Sequence, residues 1–114
     1  MRDKIRMKTI EKQELKTSFI EVMGDYPINR VLDFLIENDH NEWNLLEIVE
    51  QTNIGYSTLK KLIPKLLDKG VIITERQIGK SKLYRMNKKS EVVKNIYKLY
   101  SAINNIEMER VINS

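Results

Sequence analysis

The sequence predicts a mainly helical α+β domain in which helices come first, one two-stranded hairpin follows, and a long helix closes the chain. Three features carry that expectation. Apolar residues recur at helical spacing from Ile28 to Ile36 and again from Leu59 to Leu67. A β-prone stretch from Val71 to Asn87 is interrupted once, around Gly79. Glycines and Pro27 stand where the periodic segments start, turn or stop. With 114 residues there is room for one core, so residues 1–114 are expected to form a single domain. Its expected parts are an N-terminal helix in 1–24, a central unit in 25–88 and a C-terminal helix in 89–114.

Asp3 to Met23 favours helix, frayed before Glu11, with Leu15, Phe19, Val22 and Met23 on one face and Gly24 at a left-handed cap. Pro27 then opens a second helix at a position where its missing N–H costs nothing, and Ile28, Val31, Leu32, Leu35 and Ile36 form its apolar stripe. Residues 37–42 make a polar loop around His40, the chain's one histidine. No second or third metal donor stands near it, so it is read as a solvated loop residue. Asn44 with Glu47 three residues on is a capping box, and Trp43 before it is placed to pack on Ile48 as a hydrophobic staple. A short helix over 45–52 follows.

From Leu45 to Pro64 the text LLEIVEQTNIGYSTLKKLIP reads as helix, tight turn, second helix. Asn53 takes the turn position that needs positive φ. Ile54 fills the angle between the helices, and Leu59, Leu62, Ile63, Leu66 and Leu67 are the buried stripe of the second helix, over 56–69. The opposite face holds Tyr56, Ser57, Thr58, Lys60, Lys61, Pro64 and Lys65. Short polar side chains at the N-terminal end of an exposed helix suit base edges in a major groove about 12 Å wide, with lysines behind them reaching phosphates. An ordinary amphipathic helix with lysine on its solvent side is the other reading of the same face. Pro64 either kinks this helix or ends it early.

Gly70 closes the helix. Val71 to Gln77 and Lys82 to Asn87 then flank the turn Ile78-Gly79-Lys80-Ser81. Arg76, Lys80, Lys82 and Arg85 crowd the hairpin, opposed by Glu75. Such a ribbon suits a phosphate backbone or a minor groove; the competing reading is a charged edge that resists aggregation.

Charge is distributed unevenly along the chain. Residues 25–52 carry 1 basic and 7 acidic side chains, whereas residues 53–88 carry 9 basic and 2 acidic, against a net charge of +4 for the whole. A local single-signed block favours a polyanionic partner over mere solubility.

With these elements in this order, the chain resembles the winged helix-turn-helix DNA-binding proteins, and especially the small transcriptional regulators common in archaea. The likeness spans about Phe19 to Tyr100 and rests on FIEVMGDYPINRVLDFLIEN, the motif above, LLDKGVI and RQIGKSKLYRMN as the wing. It implies that Tyr56, Ser57, Lys60 and Lys61 face bases or nearby phosphates and that Arg76, Lys80 and Lys82 serve the wing; Thr58 and Lys65, on the same face of the helix, are counted with the DNA-binding residues. Metal-sensing proteins of similar fold use cysteine and histidine clusters, and this chain has no cysteine. No metal or other cofactor is therefore expected.

Beyond the wing, Ser90 is an N-cap for a helix over 91–111, about 30 Å long. Val92, Ile96, Leu99, Ile103 and Ile106 step along it as a heptad seam that must pack on something. The preferred reading is a homodimer built by both terminal helices; packing on the N-terminal helix of the same chain is the alternative. The function expected is sequence-specific binding of duplex DNA by a homodimeric transcriptional regulator. The alternatives are a plasmid or viral replication or partition protein, and a winged-helix protein-interaction module. An enzyme is not expected, because no phosphate loop and no nucleophile with a neighbouring base occurs. No apolar run exceeds three residues, so neither a membrane span nor a signal peptide is expected, and the cytoplasm is the expected location.

Overall fold

A computed structural model describes residues 16–113, with side chains through residue 106. Its helices are α1 (Ser18–Met23), α2 (Pro27–Glu37), α3 (Leu45–Thr52), α4 (Tyr56–Asp68) and α5 (Glu91–Asn113), and its strands are β1 (Ile72–Ile78) and β2 (Ser81–Met86). The helix that ends at Met23, expected to reach back toward Asp3 though frayed before Glu11, begins at Ser18. Thr17 is extended, with φ −70° and ψ 159°, and its hydroxyl accepts the Ile20 N–H at 3.2 Å. A threonine hydroxyl offers the backbone this alternative to helix, which helical composition does not reveal. Residues 3–15, Leu15 included, lie outside the described residues. Gly24 ends α1 with φ 103° and ψ 150°, a positive φ but an extended backbone rather than the left-handed cap expected. The positive φ is what calls for glycine; the Tyr26 ring that a Cβ would meet at 2.7 Å belongs to an exposed side chain that can move aside.

Local signals account for the middle of the chain. Pro27 occupies the first turn of α2. Asn44 and Glu47 exchange both capping-box hydrogen bonds at 2.9 Å, and Asn53 takes φ 56° and ψ 36°. Trp43 packs on the core cluster that includes Ile48; its ring also meets Phe34 edge-on at 5.0 Å, and its indole N–H donates to the Asn38 carbonyl. Its backbone pairs with Tyr84 in both directions, at 2.9 and 2.8 Å, adding a one-residue bridge beside β2.

β1 and β2 pair antiparallel, from Ile72 opposite Met86 to Ile78 opposite Ser81. The register shifts between Ile73 and Arg76, so that Thr74 and Glu75 share the one position opposite Tyr84, a bulge that re-aims the outer half of the ribbon. The turn tightens to Gly79 and Lys80, and Gly79 carries the positive φ of 60° that it needs.

Phe19, Val31, Leu35, Ile48, Leu59, Ile72, Met86 and Val93 are wholly buried and come from every helix and both strands of this architecture. α4 contributes Leu59, Ile63 and Leu66 to that core and runs through Pro64 without ending. An interior proline costs about 3 kcal/mol, whereas each buried leucine or isoleucine contributes about 1.5–3 kcal/mol. Three of them outweigh it. Pro64 and Lys60 are exposed, so water reaches the carbonyl that the proline leaves unbonded.

α5 starts at Ser90, whose hydroxyl accepts the Val93 N–H at 3.3 Å. Val93, Tyr100 and Ile103 enter the core and Ile96 and Tyr97 pack on its edge, with the Tyr100 ring 5.2 Å from Phe19 of α1. The seam is thereby split. Ile103, expected to face outward with the rest, is 4% exposed, and Ile96 rests on its own chain; Val92, Leu99 and Ile106 remain 54%, 42% and 50% exposed. No helix among the described residues is long and apolar enough to cross a membrane.

Candidate nucleic-acid interface

The turn between α3 and α4 is held from beneath by a residue that charge counting passes over. Arg30 of α2 makes a two-point ion pair with Asp25, Nε to Oδ1 at 2.5 Å and Nη2 to Oδ2 at 3.0 Å. Its Nη1 donates to the carbonyls of Thr52 and Asn53 at 3.3 and 3.5 Å, where α3 leaves acceptors without helical partners. Thr52 is buried and its hydroxyl donates to the Ile48 carbonyl at 2.6 Å. The guanidinium beside Asp25, with Lys16 at 3.2 Å, lowers that carboxyl to about 2. In the sequence Arg30 is visible only as the one basic residue of an acidic segment; its partner carbonyls lie over twenty residues away.

Arg30→Ala is expected to destabilise the chain by about 1–2 kcal/mol in urea unfolding, below the full value of a charged hydrogen bond because the side chain is partly in water. The Asp25 carboxyl, followed by NMR, should return from about 2 toward the ordinary aspartate range in that variant. Because its folded value is depressed, the pair's contribution is complete above about pH 4 and is lost as pH falls toward 2.

With the turn so fixed, α4 presents Tyr56, Ser57, Thr58, Lys60, Lys61 and Lys65, and every one of them is exposed. The Lys60 ammonium stands 5.5 Å over the Tyr56 ring, a cation–π contact that leans it toward the N-terminal end of the helix. Asn53 and Ile54 set the angle of entry, with Ile54 buried as the plug. Arg76, Lys80 and Lys82 on the ribbon are likewise exposed, as is Ile78 at its tip.

Ion pairing separates the basic residues into two kinds. Arg85 donates to Glu75 at 2.8 Å and stands 3.9 Å from Glu42, and Lys88 pairs with Asp39 at 3.1 Å. Arg85, counted in the sequence among the ribbon's cations, is thus neutralised within the fold. Lys60, Lys61, Lys65, Lys69, Arg76, Lys80 and Lys82 have no carboxylate partner among the described residues. No group of three or more metal-binding side chains occurs among the described residues.

No family model and no curated protein matches the chain. Two solved structures share its shape. The transcriptional repressor BigR from Xylella fastidiosa superposes with a TM-score of 0.56 at 23% identity, over 94% of this chain and 97% of that one. Rv0081 of M. tuberculosis gives 0.55 at 16% identity, over 87% and 95%. The fold is a winged helix-turn-helix. In its terms α3 and α4 are the two motif helices and β1–β2 is the wing, with the isolated Trp43–Tyr84 bridge beside β2.

Proposed function

We propose that this winged helix-turn-helix chain is a sequence-specific DNA-binding protein that regulates transcription as a homodimer. In this reading α4 enters the major groove through Tyr56, Ser57, Thr58, Lys60, Lys61 and Lys65, and the wing lies against the backbone through Arg76, Lys80 and Lys82. One observation carries it. Of the nine lysine and arginine side chains without a carboxylate partner among the described residues, seven lie on α4, its end and the wing; the other two are Lys89, just before α5, and Lys98 on it. Exposed positive charge held on a rigid helix and a rigid ribbon is the footprint of a polyphosphate partner. That BigR is a transcriptional repressor supports the same reading.

The homodimer is supported by the outward stripe of α5. Val92, Leu99 and Ile106 recur every seven residues on one side of a long helix. A second copy would cover them and set two α4 helices about 34 Å apart, one turn of duplex DNA. Purified protein mixed with random genomic fragments should select discrete sites with paired half-sites. If about three cations per protomer meet phosphates, affinity should fall with salt at a log–log slope near −5. A flat salt response contradicts the proposal.

A further inference from the structure

Three helices are joined through one phenol and one carboxyl. The hydroxyl of Tyr100, on α5, lies 2.8 Å from Asp33 Oδ1 and within hydrogen-bond reach of Glu37 Oε1, both on α2. Thr17, the N-cap of α1, donates its hydroxyl to the other Asp33 oxygen, Oδ2, at 3.0 Å. The groups facing this junction are Thr17 from α1, Asp33 and Glu37 from α2 and Tyr100 from α5; no lysine, arginine or histidine of the described residues pairs with either carboxyl.

Counting hydrogens settles what the junction must contain. A phenol carries one hydrogen and can satisfy one carboxylate oxygen. The second oxygen at hydrogen-bond distance is repelled by the phenol oxygen unless it brings a proton of its own. Two ionised carboxylates sharing a site, with no cation beside them, resist charging together. Burial decides between them. Glu37 is exposed to water, whereas Asp33 is half-buried and its carboxyl is pushed up by desolvation.

We propose that this junction is a binding site for a single proton, held as a neutral Asp33 carboxylic acid that donates to the Tyr100 oxygen while Tyr100 donates to ionised Glu37. The hydrogen bonds then run in one direction: Ile20 N–H to Thr17, Thr17 to Asp33, Asp33 to Tyr100, Tyr100 to Glu37. Each link polarises the next. Losing the proton leaves the Tyr100 oxygen between two anions with one hydrogen to share, and loosens α1 and α5 from α2 together. Seating of the two terminal helices is thereby tied to pH, independently of whether the chain binds DNA.

The test is a carboxyl-carbon NMR titration of the whole chain, joined to thermal unfolding of wild type and Asp33→Asn across the same pH range. Asp33 should hold its proton above the ordinary aspartate value of about 3.9. A folded state that binds more protons than the unfolded one loses stability as pH rises through that window, so the wild-type unfolding midpoint should fall there. Asp33→Asn supplies an N–H donor in place of the acid O–H, and its midpoint should stay flat over the same range. Ionisation of Asp33 at or below its ordinary value overturns the proposal, as does an Asp33→Asn variant that keeps the wild-type pH dependence. Should the variant not fold, the wild-type titration alone decides.

Discussion

The double variant Lys60→Glu, Lys61→Glu is expected to bind duplex DNA more than about 100-fold more weakly than wild type, with its thermal unfolding nearly unchanged. Each protomer loses two phosphate-reaching cations and gains two anions on the face closest to the duplex, and a dimer doubles the change. If about three cations per protomer meet phosphates, the log–log salt slope should flatten from about −5 to about −2. Stability should shift by less than about 1 kcal/mol, because neither lysine has an ion-pair partner and the Lys60–Tyr56 contact is the one interaction lost. Lys98→Glu on exposed α5 serves as the matched control and should leave affinity within about threefold of wild type. Anisotropy titrations at several salt concentrations distinguish these outcomes. Wild-type affinity in the double variant would remove α4 from the interface.

The second large effect is expected at the other end of the molecule. Val92→Asp with Leu99→Asp places two carboxylates per protomer on the outward stripe of α5 without touching its inward residues Val93, Tyr100 and Ile103. Burying unpaired charges at the centre of a helix–helix contact costs several kcal/mol. The variant should therefore sediment as a folded monomer where wild type sediments as a dimer. DNA affinity should drop by at least about 100-fold, since one half-site loses the contribution of its neighbour. A wild-type monomer, or a variant that stays dimeric, contradicts the assembly proposed.

What could be seen in the sequence was whatever a few neighbouring residues decide. The capping box of Asn44 and Glu47, the positive φ of Asn53, Pro27 at a first turn and the glycine of the wing turn are local chemistry, and each stands where the sequence places it. The exposed face of α4 was legible for the same reason, because one apolar stripe fixes the opposite side. Contacts between distant segments were not. Arg30 on the Thr52 and Asn53 carbonyls, Trp43 on Phe34 and Tyr84, and the Arg85–Glu75 pair depend on how elements meet. α5 is the instructive case. Its apolar residues form one broad arc, and periodicity alone cannot say which part of that arc its own chain covers; Val93, Tyr100 and Ile103 enter the core, Tyr100 against Phe19, and Val92, Leu99 and Ile106 stay outside. Thr17 shows the converse, a single hydroxyl that starts a helix at Ser18 inside a stretch whose composition gives no such boundary.

The central claim is that the unpaired cations of α4 and the wing are the surface that meets duplex DNA. Amide NMR of the labelled protein, titrated with a selected duplex, tests it most directly. Shifts should concentrate in residues 56–65 and 76–82 and spare α1 and the inward face of α5. Shifts gathered instead on the acidic segment 25–52 or along Val92, Leu99 and Ile106, with α4 and the wing unmoved, would contradict it.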